Sequence, residues 1–136
     1  MAEKRELTLA DRIEAVEQAY EFMLAYAAQG REDDGGGSVR QFLERAAAAL
    51  EGLAAAAAAA AAASPHPLDA TTRQAFAAFL EVLDDDARKA RAALQFVLAQ
   101  KSISSQLVDN LNASIHLRAL LTDVFLIDEA LKRSES

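Results

Sequence analysis

The segment EGLAAAAAAAAAASPHP, Glu51–Pro67, decides how the chain folds, because ten consecutive alanines lie inside it. Alanine has the highest intrinsic helix propensity, so the run favours a helix. Leu53 carries the apolar spacing of the preceding residues into the run. Pro65 and Pro67 end the helix, because proline lacks a backbone N–H donor and disfavours the α conformation in the residue before it. The segment therefore predicts the second half of a helix that ends near Ser64.

A membrane span and a flexible linker are the two alternative interpretations of the alanine run. The run is about half of the roughly 20 residues that cross a bilayer, alanine is only marginally apolar, and Glu51 lies just upstream. Alanine also lacks the backbone freedom that glycine gives a linker. A helix of methyl groups allows its neighbours to approach closely but specifies register weakly. We therefore expect this end of the fold to be either tightly packed or poorly packed.

Other segments of the chain carry apolar residues at steps of three and four, the spacing of one face of a helix. Thr8 with Asp11, and Ser38 with Gln41, resemble capping boxes, and Asp69 is a further predicted N-cap. With the alanine run, these patterns predict helices at about residues 9–29, 39–64, 70–100 and 104–132.

Three consecutive aspartates, Asp84, Asp85 and Asp86, lie within the third predicted helix. The apolar register passes through them without a phase change, which favours one long helix; a break there, with Asp86 capping a new helix, is the alternative. On a helix the three side chains point about 100° apart and cannot converge on one metal ion. Their spacing from Arg88 and Lys89 predicts surface ion pairs between residues i and i+4.

Four amphipathic helices with short connections predict an all-α fold, an antiparallel up-down-up-down four-helix bundle. We expect the bundle to occupy residues 1–136 as a single domain. Residues 1–7 are expected to be flexible, residues 31–38 to form a mobile glycine-rich loop, and residues 64–69 to form a proline-containing connection.

The composition limits the classes of function. Lysine and arginine total 14 against 21 aspartates and glutamates, a formal net charge of −7 that disfavours binding to nucleic acid or anionic lipid. The absence of cysteine excludes disulfides, thiol nucleophiles and cysteine-ligated metal sites. No cofactor is predicted, because no metal-ligand or cofactor motif is found. The charged sequence MAEKRELTLADR at the start contains no apolar run of signal-peptide length, so we expect a cytoplasmic protein without membrane insertion.

Three residues are candidate anchors for a ligand or a partner: Arg118, His116 and Tyr20. Arg118 projects among apolar residues of the fourth predicted helix, where an arginine must reach water or meet an acceptor. Snorkelling or a structural ion pair is the alternative role for Arg118. His116 could act as a haem ligand or a general base, although an exposed histidine is the simpler interpretation. Tyr20 occupies a core-type position in the first helix.

Phe96, Val124, Phe125 and Ile127 are interface candidates, because Phe96 and part of the Val124–Ile127 run project away from the main apolar stripes of their helices. Apolar side chains exposed on two helices favour contact with another protein. Among such contacts a homodimer is the commonest.

The sequence contains no catalytic constellation, which favours a non-enzymatic role. We therefore predict a homo-oligomeric protein that acts through protein–protein interaction as an accessory, adaptor or chaperone-like subunit. One alternative is a ligand-binding or catalytic bundle with a pocket near the three anchor candidates. Another is an amphipathic coat protein of lipid or polymer inclusions.

Overall fold

The computed structural model describes residues 7–35, 37–64 and 68–134, and within them the chain is all-α with no strand. The predicted flexibility of residues 1–6 and the course of residues 65–67 lie outside the described residues. The described residues form six helices: α1 Leu9–Ala27, α2 Val39–Leu50, α3 Leu53–Ala62, α4 Ala70–Leu98, α5 Ser105–Ala113 and α6 Ile115–Ser134.

The second predicted helix is interrupted, so the prediction of one helix over residues 39–64 is wrong. It breaks at Glu51 and Gly52 into α2 and α3, with a bend of 55° between them. Gly52 has a φ of 79°, in the left-handed region that only glycine adopts without steric cost. Arg12 of α1 donates hydrogen bonds to the carbonyls of Ala49 and Glu51, which satisfies acceptors that the end of α2 leaves open.

The fourth predicted helix is also interrupted, at Ser114, which separates α5 from α6. Ser114 has a ψ of 134° and cannot continue the helix. Its hydroxyl accepts a hydrogen bond from the backbone N–H of His116 at 3.2 Å, and its carbonyl accepts one from the N–H of Arg118 at 3.1 Å. A serine that bonds the backbone in this way competes with helix continuation. The described part of the chain thus has six helices where four uninterrupted ones were predicted.

The third predicted helix is continuous, since α4 runs from Ala70 to Leu98 without a break at the aspartates. The alternative of a new helix capped by Asp86 is therefore wrong. The predicted surface pairs are confirmed: Arg88 lies 2.8 Å from Asp84, and Lys89 lies 3.0 Å from Asp85.

The predicted helix starts are confirmed at two places and wrong at one. Thr8 and Asp11 form a reciprocal capping box, and the Asp69 side chain accepts a hydrogen bond at the start of α4. Ser38 precedes α2 but makes no side-chain capping bond, so its predicted box with Gln41 is absent. The backbone of Ser38, with ψ near 0°, is not the extended one from which an N-cap hydroxyl reaches the following N–H groups.

The loop between α1 and α2 is hydrogen-bonded to the connection between α4 and α5 and to the first residue of α5. The Asp34 carboxylate accepts a hydrogen bond from the N–H of Ile103 at 2.7 Å and pairs with Arg40 at 2.7 Å. The bond from Ile103 and the Arg40 guanidinium hold the pKa of Asp34 below its ordinary value. Arg31 and Ser105 exchange two further bonds of 2.8 Å. Two charged residues of the loop, Arg31 and Asp34, therefore have partners outside it.

The helices enclose one cluster of buried apolar side chains. Helix α1 packs against α2 and α5, whereas α4 packs against α2, α3 and α6. Burying each large apolar side chain contributes about 1.5 to 3 kcal/mol of transfer free energy. The largest fully buried side chains are Tyr26, Met23, Leu43, Leu53, Leu83, Leu94, Ile103, Leu120, Val39 and Val108.

Helix α3 consists of Leu53 followed only by alanines, and of its side chains only Leu53 and Ala57 are buried. In the described part of the chain, no single helix has both the length and the apolar character to cross a bilayer. Helices α2 and α3 taken together meet that requirement by length and composition, but they are bent at Gly52.

Candidate functional site

A small groove between α1 and the first half of α6, beside the end of α5, brings two of the three predicted anchors together. Its volume is about 190 Å³, and its lining residues are Tyr20, Asn112, Arg118, Leu121 and Thr122. We call it the α1–α6 groove. The side-chain oxygen of Asn112 is buried there without a hydrogen-bond partner.

Arg118 is exposed at this groove. Its guanidinium group therefore reaches water, although the residue was predicted to project among apolar side chains. It is paired with no carboxylate in the described part of the chain, so the alternative of an ion pair within the chain is not found there. His116 is exposed and does not line the groove. A guanidinium, a phenol and an amide in so small a volume suit a small anion, because typical ligand pockets are larger, about 300 to 1,000 Å³.

The interface candidates divide into two exposed and two buried residues. Phe96 is 67% exposed and Phe125 is 51% exposed, as expected for contact residues. Val124 and Ile127 are only 2% and 3% exposed, so their prediction as interface residues is wrong. The error comes from carrying one helical register across Ser114, whereas α6 starts anew with its own apolar stripe. That stripe consists of Leu117, Leu120, Leu121, Val124 and Ile127.

Further apolar side chains are exposed on α4 and α6, which pack against each other. Ile115 is 75% exposed, Leu126 55% and Val82 47%. At 100° per residue, Val82 and Phe96 lie within about 40° of each other on α4, and Ile115 and Leu126 lie within about 20° on α6. Each helix therefore presents two large apolar side chains on one face. We call these four residues, Val82, Phe96, Ile115 and Leu126, the outer apolar set.

Two grooves flank the alanine helix, because methyl groups fill too little of the space beside it. The α3–α4 groove, of about 380 Å³, is lined by Ala58, Ala61, Ala62, Ser64, Leu68, Arg73, Phe76, Ala77 and Leu80. The α1–α3 groove, of about 490 Å³, is lined by Leu7, Thr8, Leu9, Arg12, Gly52, Ala55, Ala56, Ala59 and Ala60. Between them Ala57 is completely buried. The predicted alternatives of tight packing and poor packing thus both occur, at different alanines.

Two carboxyl groups meet between α4 and α6, a feature that sequence reasoning missed. Asp123 of α6 is 6% exposed, and its Oδ2 atom is buried without a hydrogen-bond partner. Burial, and then a side-chain contact with Asp86 of α4, raise the pKa of Asp123 to about 7. The signal available in the sequence was an aspartate directly before Val124, inside the apolar stripe of α6. We call Asp86 and Asp123 the carboxyl pair.

The described part of the chain holds no group of three or more histidine, aspartate or glutamate side chains arranged for a metal ion. Comparison of the chain with protein-family models, with curated proteins and with solved structures gives no match. Neither sequence similarity nor fold similarity therefore indicates a function.

Proposed function

We propose that the protein acts without catalysis, through protein–protein contact, as a homo-oligomeric accessory, adaptor or chaperone-like subunit in the cytoplasm. The observation that supports this proposal best is the exposure of the outer apolar set, above all Phe96 and Ile115. Burying one large apolar side chain contributes about 1.5 to 3 kcal/mol of transfer free energy. Association that covers these side chains would therefore be stabilised by their burial. A second copy of the chain is the simplest cover, because a two-fold contact matches the same surface on both subunits.

The packing of the helices supports a further part of the proposal, an antiparallel four-helix arrangement with two bent arms. Helix α2 with α3 would form one arm, and α5 with α6 the other. Helix α1 packs on α2 and α5, and α4 packs on α2, α3 and α6, as neighbouring arms would. In this arrangement the outer faces of α4 and α6 lie side by side and are available to a partner.

Glutamate at Phe96 and Leu126 is expected to dissociate the oligomer. Each substitution buries a charge in the contact and removes its apolar gain, twice in a two-fold interface. We expect the dimer dissociation constant to rise at least about a hundredfold in the double variant. Sedimentation equilibrium over a range of protein concentrations measures this constant.

The matched control is Gln95→Glu, which adds the same charge at an exposed position next to Phe96. It should leave the dissociation constant within about threefold of the wild type, because surface charges act weakly at a distance. Affinity purification from the source cell, with mass spectrometry, tests for partners other than a second copy. A strictly monomeric wild-type protein that enriches no partner would contradict the proposal.

Ligand binding in the α1–α6 groove is the second candidate function. The observation that favours it is that Tyr20 and Arg118, whose hydroxyl and guanidinium groups can donate hydrogen bonds, line the same groove. We propose that this groove binds a small carboxylate or phosphate through the Arg118 guanidinium. The coat-protein alternative stays a prediction.

Methionine at Arg118 is expected to abolish stabilisation by small anions. Ligand at about 100 times its dissociation constant adds about 2.7 kcal/mol to the free energy of unfolding, which raises the melting temperature. Thermal unfolding with acetate, oxalate or phosphate, at constant ionic strength, measures the effect. Arg88→Met is the control, since Arg88 is an exposed arginine on α4. If both variants keep the full response, or if the wild type shows none, the groove does not bind these anions.

A further inference from the structure

The carboxyl pair joins two helices that are far apart in the sequence. Asp86 is half-buried on α4, and Asp123 is almost completely buried on α6. When both carboxyl groups are ionised they can only accept hydrogen bonds, so neither can satisfy the other. When Asp123 holds a proton, it can donate that proton to the Asp86 carboxylate across the interface. One proton therefore decides whether this contact attracts or repels.

The cations of α4 nearest to the carboxyl pair are already engaged. Lys89 lies one helical turn beyond Asp86, but its ammonium group bonds mainly to Asp85, at 3.0 Å. Arg88 pairs with Asp84 at 2.8 Å. The pKa of Asp123 is raised by burial and by Asp86, and no basic group lowers it.

The other helices near α6 do not supply a counter-ion either. Helix α3 has no ionisable side chain, and the only one on α5 is the exposed Asp109. Glu17 of α1 interacts electrostatically with Lys132 near the end of α6. The main partner of Lys132 is Asp128. Deprotonated Asp123 would therefore be a buried charge beside a second charge of the same sign, an arrangement that costs free energy.

We propose that the carboxyl pair is a proton-controlled contact that holds α6 against α4 while Asp123 is protonated and loosens the two helices when that proton is lost. The inference does not depend on whether the protein associates with a partner. It assigns a regulatory role to Asp123 and its contact Asp86. All described aspartates other than Asp123 are half-buried or exposed.

The sign of the pH dependence follows from the two states of Asp123. Its pKa is about 7 in the folded chain, against about 3.9 for an unperturbed aspartate. Between these values the folded chain holds a proton that the unfolded chain releases, so stability from this group falls as pH rises from about 4 to about 7. Asp34 and Asp69 have lowered pKa values and act in the opposite direction, at lower pH. Measurements between about pH 5 and pH 8 therefore isolate the carboxyl pair.

Asparagine at Asp123 is the decisive substitution, because its amide can donate to Asp86 but cannot ionise. Relative to its value at pH 5, the unfolding equilibrium constant of the wild type divided by that of the variant should rise about tenfold per pH unit up to about pH 6.5 and level off above about pH 8, about a hundredfold higher. Denaturant unfolding at several pH values measures this ratio. Asp109→Asn, on exposed Asp109, is the control and should give a flat ratio.

Hydrogen exchange distinguishes loosening of the helices from a simple loss of stability. Protection factors of α6 amides, corrected for intrinsic exchange, should fall between about pH 5.5 and pH 8 in the wild type and stay constant in Asp123→Asn. A flat stability ratio overturns the proposal, and so does unchanged protection of α6. If Asp123→Asn does not fold, the Asp123 carboxyl carbon can be titrated by NMR in the wild type and in Asp86→Asn. Its midpoint should move to lower pH in Asp86→Asn, whereas an unchanged midpoint overturns the role of the pair.

Discussion

Leucine at Ala57 is expected to lower the free energy of unfolding by about 1 to 3 kcal/mol, the usual effect of overpacking a well-packed core. Ala57 is fully buried in α3, which packs chiefly against α4 and also contacts α1 and α6. Three added carbon atoms would have to displace α3 or force neighbouring side chains out of their preferred rotamers. Denaturant unfolding at constant pH measures the change, and an unchanged m-value shows that the variant still unfolds in one step.

Ala61→Leu is the matched control, since it makes the same change one helical turn further along α3. Ala61 lines the α3–α4 groove of about 380 Å³, where a larger side chain meets open space and apolar neighbours. Each additional buried methylene gains about 0.8 kcal/mol, so we expect unchanged or higher stability. Equal destabilisation by both substitutions would show that the groove closes around α3, and a gain from Ala57→Leu would show that α3 is underpacked.

The sequence predicted the helices well where one continuous pattern determines them. Helix α4 follows its three-and-four spacing from Ala70 to Leu98, and its three aspartates do not interrupt it. The caps at Thr8 and Asp69 were predicted because the bonding groups are only three residues apart. Local signals of this kind depend on propensity and periodicity, which a sequence contains directly.

The breaks in the second and fourth predicted helices were not predicted, because each depends on more than a local pattern. A single glycine inside a helical pattern is usually tolerated at a cost of about 1 kcal/mol. At Gly52 the break is supported by Arg12, which comes from another helix and bonds the end of α2. Such support is visible only once the packing of α1 on α2 is known. Ser114 gave a weaker local signal, a serine that can bond the following backbone.

The candidate site was predicted only in part, and for the same physical reason. Tyr20 and Arg118 share a groove, but the register error at Ser114 assigned Val124 to an outer face. The contact of Asp86 with Asp123 depends on how α4 and α6 pair, which no spacing within either helix determines. Single-helix patterns therefore predict which faces are apolar but not which polar groups meet between helices.

Phenylalanine at Tyr26 is expected to lower the free energy of unfolding by about 1 to 3 kcal/mol, the cost of leaving a buried polar group without its partner. The Tyr26 hydroxyl donates a hydrogen bond to the carbonyl of Ile103 at 2.5 Å and lies 3.2 Å from the carbonyl of Asp33. Tyr26 is 1% exposed, so water cannot replace the lost donor. The Tyr26 phenol is protonated and able to donate at neutral pH, and burial raises its pKa further above the ordinary value. Denaturant unfolding measures the loss.

Tyr20→Phe is the internal control, because Tyr20 and Tyr26 are the only two tyrosines in the chain. Tyr20 is half-buried, and the described residues offer its hydroxyl no hydrogen-bond partner, so the change should stay within about 0.5 kcal/mol.

The effect at Tyr26 should also spread beyond the deleted bond. The backbone carbonyl of Tyr26 accepts a hydrogen bond from the buried Ser105 hydroxyl at 2.6 Å, so the end of α1 is bonded both to Ile103 in the α4–α5 connection and to the first residue of α5. Loss of one bond weakens the other, because both depend on the same approach of backbone segments. Amides of residues 31–35 and 101–105 should therefore exchange much faster in Tyr26→Phe at pH 7, while exchange of the α4 amides should speed up only in proportion to the loss of global stability. Equal effects of the two tyrosine substitutions would mean that apolar packing alone holds this connection.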